Sequence, residues 1–196
     1  MNSFYPSLDS FIHVYDVKHL IPDNFLEMIQ EEIPISGRKI ERTTTDARYS
    51  NHIFHFEETK IEPIIRDYIW SITNFVTENY SKDFLVSYSE NAHFNPLKKL
   101  YNEEGYFVYM YNHLEFCDIH VDQNRSHPRD ISFILMLNDE YEGGIIEFYC
   151  GKHLLKQIIP KKYSIVVFPS NYLYAHRVTP VKNGLRVVMV FWLRTH

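Results

Sequence analysis

His120 and Val121 close a run of strand-forming residues, EFCDIHV, and Asp122 follows it, which sets an imidazole and a carboxylate two positions apart. Side chains at i and i+2 of a β-strand point to the same side, so this pair can grip one ion. A third donor, His176, stands in another strand-like run, LYAHRV. Two histidines and one carboxylate with no thiolate form the ligand set that holds iron(II) on one face and leaves other positions open. A structural zinc site takes four ligands, usually with cysteine. Cys117 is three residues from His120, which predicts the opposite strand face and argues against it as a fourth ligand. Arg186 opens the strongly apolar run RVVMVFWL. An unpaired cation is costly to bury, and a guanidinium is shaped for a carboxylate. On such a strand Arg186, Val188, Val190 and Trp192 share a face. If that face looks inward, the arginine is the floor of a pocket whose mouth holds the metal, and an anionic ligand is implied.

These residues need a scaffold, and the second half of the chain reads as one. From Tyr106 onward eight short runs of strand formers follow one another: YFVYMYN, EFCDIHV, DISFILML, IIEFY, HLLKQII, YSIVVFP, LYAHRV and RVVMVFWL. Turn residues such as Asn138-Asp139, Gly143-Gly144 and Asn183-Gly184 separate them, with no helical pattern between. This predicts an antiparallel jelly roll, or double-stranded β-helix, in a mainly β chain with helical support. The N-terminal half is mixed. Asp23 or Asn24 is a candidate cap for a helix over FLEMIQEEI that stops at Pro34. Ile61 to Tyr80 carries Ile61, Ile64, Ile65, Tyr68, Ile69, Ile72, Phe75 and Val76 at helical spacing. Residues 36–52 are polar and read as a mobile loop with a short strand at most, a candidate lid over a substrate. We expect one domain over 1–196, with 1–100 as support and 101–196 as the catalytic core.

Composition narrows the class. The 196 residues are 45% apolar and 23% charged, which suits a globular chain with one sizeable core. A net charge of -5 argues against a nucleic-acid partner. No apolar run suits a membrane span, and two cysteines without a secretory leader predict a reducing cytoplasm.

The stretch from Tyr111 to Trp192 resembles the iron(II)- and 2-oxoglutarate-dependent oxygenases of the prolyl 4-hydroxylase-like superfamily, whose pattern is H-x-D, a distant H and then a basic residue. Supporting matches are Arg129-x-x-Ser132 leading into a strand, LND followed by YEGG and IEF, PKKYSIVVFPS, and HRVTPVKNGLR ending in FW. The resemblance implies iron(II) held by His120, Asp122 and His176, with 2-oxoglutarate as cosubstrate and ascorbate as an accessory. It implies that Arg186 pairs with the far carboxylate of 2-oxoglutarate and that Tyr111 lines its pocket. Ser132, Met136, Val178 and Trp192 are expected on the pocket wall. O2 and a prolyl or other side chain in a peptide or protein are the implied substrates; a free amino acid or small molecule is the alternative. Met136 stands where many members carry a tyrosine that helps hold the cosubstrate, and Met cannot donate that bond, so another hydroxyl must. Leu114 stands near the place of a usual glycine. Two other classes remain open: a cupin-like zinc or manganese isomerase or hydrolase, which leaves Arg186 without a partner, and a non-catalytic binding module.

Overall fold

The computed structural model describes residues 7–41, 52–86, 102 and 104–194. The N-terminal region supplies strand β1 (His13–Asp16), helix α1 (Phe25–Ser36), strands β2 (Arg38–Lys39) and β3 (His52–Phe56), and helix α2 (Pro63–Val86). The strands that follow are β4 (Tyr106–Tyr111), β5 (Cys117–His120), β6 (Ile131–Met136), β7 (Tyr141–Gly143), β8 (Ile146–Cys150) and β9 (His153–Ile158). The last four are β10 (Ser164–Pro169), β11 (Ala175–Val178), β12 (Val181–Gly184) and β13 (Arg186–Leu193). All eight predicted runs form strands. A seven-stranded sheet runs in the order β1-β10-β6-β13-β4-β3-β2, a four-stranded sheet in the order β5-β11-β8-β9, and β12 pairs with β7.

Strand alternation divides the large sheet into two faces with different neighbours. Val108, Phe133, Leu135, Val187, Met189 and Phe191 point to one side, into a core shared with Phe25 and Ile29 of α1 and with the buried stripe Ile65, Ile69, Ile72 and Val76 of α2. Ile134, Met136, Val166, Phe168 and Val188 point to the other, where Ile146 and Phe148 of the small sheet meet them. The chain is therefore mainly β, with the helices against one side of the large sheet and the small sheet against the other.

Three local readings change. Helix α1 continues through Pro34 to Ser36, and the amide of Gly37 donates to the Ile33 carbonyl at 3.1 Å. A proline in the last turn removes only its own donor, and the carbonyl left over belongs to exposed Gln30, which water can satisfy. Asn24 holds the N-cap position without a capping bond from its side chain. Ile64 is half exposed, one residue off the buried stripe. The N-terminal half also gives β1, β2 and β3 to the large sheet, more strand than its sequence suggested. Of the 36–52 loop, residues 42–51 lie outside the described residues, and β2 is its short strand.

Candidate active site

β5 and β11 are neighbours in the small sheet, with His120 opposite His176 and ring centroids 4.3 Å apart. Asp122 lies just beyond β5 and is fastened to the large sheet. Ser132 on β6 donates its hydroxyl to Asp122 Oδ2 at 2.6 Å, and the Gln123 amide donates to the Ser170 carbonyl at 3.0 Å. Asp122 Oδ1 is then 3.5 Å from His120 Nε2, and Oδ2 is 3.8 Å from His176 Nε2. These three residues are the one group among the described residues with donor atoms placed to share a metal ion, all within 4.8 Å of one another.

The imidazoles are oriented by their other nitrogens. His120 Nδ1 is 2.8 Å from the Asp118 carbonyl oxygen, and His176 Nδ1 is 3.2 Å from that of Tyr174. A carbonyl only accepts, so Nδ1 carries a proton in each ring and Nε2 is the atom left to bind a cation. His176 is wedged between Phe148 of the small sheet and Phe168 of the large one. That burial pushes its imidazole down to about 4, against the pull of Asp122, so it is neutral at ordinary pH. Burial works against the charge of Asp122 too, but His176, His120 and the Ser132 hydroxyl hold its carboxyl below the usual range. For His120, burial opposes charge, and Asp122 and Cys117 overcome it and lift the imidazole to about 11.

The ligands open into a cavity of about 400 Å³ between the two sheets. Its large-sheet wall is a ladder of facing pairs from β13 and β4: Arg186 with Tyr111, Val188 with Tyr109, Val190 with Phe107. Arg186 is 1% exposed, and none of its side-chain nitrogens has a hydrogen-bond partner. Its guanidinium carbon lies 5.0 Å from the Tyr111 ring centroid. Asn138 fixes the backbone on both sides of it, donating to the Leu185 carbonyl at 2.6 Å and accepting from the Val187 amide at 2.8 Å. At the other end of the strand Trp192 lies under Arg129, which is paired with Glu104.

The structure thus brings His120, Asp122, His176, Arg186, Tyr111, Val178 and Trp192 to one cavity. Ser132 and Met136, expected on its wall, do not line it. Ser132 is spent on Asp122 and on Ser170, 2.7 Å away, and Met136 is buried in the core between the sheets. Cys117 is also corrected: it lines the cavity, with Sγ 3.7 Å from His120 Nδ1. From Cys117 to His120 β5 spans three steps while β11 spans two from Val178 to His176, and the extra residue is a bulge that turns Cys117 onto the ligand side. Leu114 keeps a glycine-like backbone, with φ 65°. Phe107, Tyr109, Asn138 and Arg129 are site residues the sequence reading passed over. Period two from Tyr111 would have pointed to the first two.

Residues 106–194 match the family described as the 2OG-Fe(II) oxygenase superfamily. A PKHD-type hydroxylase of Synechococcus sp. (strain CC9605) is 38% identical over 81 residues, 39% of this chain and 36% of that protein. One of Xylella fastidiosa (strain M12) is 43% identical over 70 residues, 34% of this chain and 28% of that protein. The chain thus spans about a third of the length of the curated relatives it matches. Among solved structures, a viral collagen prolyl hydroxylase from Paramecium Bursaria Chlorella virus-1, in its 2OG complex, has a TM-score of 0.65 at 18% identity, covering 94% of this chain and 95% of that one. A Trichoplax adhaerens prolyl hydroxylase in complex with a hypoxia inducible factor peptide fragment has a TM-score of 0.64 at 16% identity, covering 95% and 84%. These two share the fold.

Proposed function

We propose that this chain, which carries a 2OG-Fe(II) oxygenase superfamily segment over residues 106–194, is an iron(II)- and 2-oxoglutarate-dependent dioxygenase hydroxylating a prolyl or other side chain in a peptide or protein. The observation that carries the reading is Arg186, a fully buried cation with no partner, in the same cavity as an oriented two-histidine, one-carboxylate set. The donor set suits iron(II), and the unpaired guanidinium suits the far carboxylate of 2-oxoglutarate. Once bound, the two supply an oxidant made from O2 for a substrate C–H bond, with succinate and carbon dioxide as coproducts.

The chain's own residues bind and orient. His120, Asp122 and His176 hold the metal, and Ser132 keeps the carboxylate turned toward it. Arg186, braced by Asn138, sets the direction in which the cosubstrate lies, with Tyr111 and Val178 beside it. Phe107, Tyr109 and Trp192 form an apolar wall that excludes water and suits a flat or ring-shaped side chain. No side chain has to act as general acid or base. The peptide in the Trichoplax structure and the hydroxylases among the relatives support a peptidyl substrate. The supporting elements of 1–100 and the core of 101–196 are read as one working unit. Two free cysteines, Cys117 and Cys150, accord with a reducing cytoplasm, and ascorbate is the accessory reductant we assign. Among the described residues no helix is long and apolar enough to cross a membrane. A cupin-like isomerase leaves Arg186 unpaired, and a binding module leaves the oriented Nε2 atoms without use.

The test is anaerobic addition of iron(II) and 2-oxoglutarate. A visible charge-transfer band that Arg186→Met weakens is expected, followed on admission of O2 by succinate and by a one-oxygen mass gain in peptide libraries. Absence of both band and succinate overturns the proposal.

A further inference from the structure

Tyr141 belongs to the segment LND…YEGG, and its place in the fold is beside Arg186. β7 pairs with β12, and Tyr141 faces Gly184, two residues before the arginine. The Tyr141 hydroxyl is buried and has no hydrogen-bond partner, the same condition as the three guanidinium nitrogens of Arg186. Burial raises the phenol's pKa, while the positive charge of Arg186 and the approach of its guanidinium to the hydroxyl pull it down, so the two groups stand at the edge of hydrogen-bonding reach of each other. Gly144 locates the meeting point. A Cβ built there would lie 2.7 Å from Arg186 Cδ, 3.0 Å from Tyr141 Cε2 and 3.3 Å from Arg186 Nε. Gly144, at φ +59°, thus leaves the space into which both side chains converge. A buried cation and a buried hydroxyl, both unpaired and side by side, cost stability unless a ligand satisfies them together. One group completes both: a carboxylate, which accepts from the guanidinium and from the phenol at once.

We propose that Tyr141 is the second donor to the far carboxylate of the cosubstrate, supplying with Arg186 the hydroxyl that Met136 cannot. This rests on the dioxygenase reading and names the part of the chain that selects a dicarboxylic 2-oxo acid. Tyr111 offers Arg186 the face of its ring, and Ser132 is committed to Asp122.

The test is calorimetric titration of the manganese(II)-loaded protein, held without O2, with 2-oxoglutarate and with 2-oxopentanoate, which has a methyl group in place of the far carboxylate. Wild type is expected to bind 2-oxoglutarate far more tightly. Tyr141→Phe, which keeps the ring, is expected to weaken 2-oxoglutarate about ten- to hundredfold, the worth of a hydrogen bond to a charged group. Its affinity for 2-oxopentanoate should be unchanged. Equal 2-oxoglutarate affinity in Tyr141→Phe and wild type overturns the proposal, as does an equal loss for both acids, which marks a structural role. If wild type itself does not prefer 2-oxoglutarate, the dioxygenase reading fails and the proposal with it.

Discussion

The two faces of β13 are built from one unbroken apolar run and meet opposite demands. Val187, Met189, Phe191 and Leu193 face the helices and bring no polar group of their own to that core. Arg186, Val188, Val190 and Trp192 face the cavity, where the guanidinium and the Trp192 indole nitrogen are buried without partners. The first face holds the sheet together. The second is left energetically unfinished, as a face that binds a ligand would be. Their difference shows that alternation along a strand can separate stability from binding within eight residues.

Substitutions can break that contrast. The largest effect is expected at the ligands: Asp122→Ala should abolish 2-oxoglutarate turnover and iron retention while circular dichroism shows a folded protein. Loss of fold without loss of iron would contradict the assignment. On the helix side, Phe191→Ala should lower unfolding stability by about 3–5 kcal/mol in urea, because Phe191 stacks on Phe133 and meets Tyr106 edge-on.

Acid should strike the cavity side. The ordinary histidine value is about 6.5, and His176 in the fold is at about 4. Between these values the unfolded chain binds a proton that the folded one refuses. Stability of the chelator-stripped protein should therefore fall as pH drops through that window, by roughly 3 kcal/mol from this group, and His176→Leu should flatten the slope. His120 acts elsewhere, since its raised value adds stability that is complete below about 6.5 and is lost as pH rises toward about 11.

The smallest change is the sharpest. Arg186→Met should raise the stability of the ligand-free protein by about 1 kcal/mol, because an unpaired buried charge is removed. The thermal shift produced by 2-oxoglutarate should disappear in the same variant. A loss of stability comparable to that of Phe191→Ala would erase the distinction between the faces.

What the sequence made legible follows from where the chemistry is encoded. His120 and Asp122 stand two residues apart, and Arg186 opens a strand whose period of two fixes its companions, so local spacing suffices for them. The face of Cys117 depends on a bulge that exists only because β5 pairs with β11, and no spacing within β5 reveals it. Ser132 and Met136 were given a wall that they do not line. Ser132 turns to Asp122 through a contact made across ten residues, and the Met136 side chain lies among the residues between the sheets. Asn138 and Tyr141 reach the neighbourhood of Arg186 across more than forty positions of chain, through strand pairing that turn residues alone do not specify. The N-terminal strand β1 escaped notice because HVYD is a short segment at one edge of the large sheet, while β2, at the other edge, is the short strand allowed for residues 36–52.

The division of the site between two sheets has a metrical consequence. Arg186 belongs to one sheet and both histidines to the other. Packed sheets stand about 10 Å apart, a separation that side chains cannot alter without repacking the core. The gap between guanidinium and metal ligands is therefore a ruler cut into the fold. A ligand that is to touch both ends at once must match that ruler in length, so under the dioxygenase reading oxaloacetate, one carbon shorter than 2-oxoglutarate, is expected to bind more weakly.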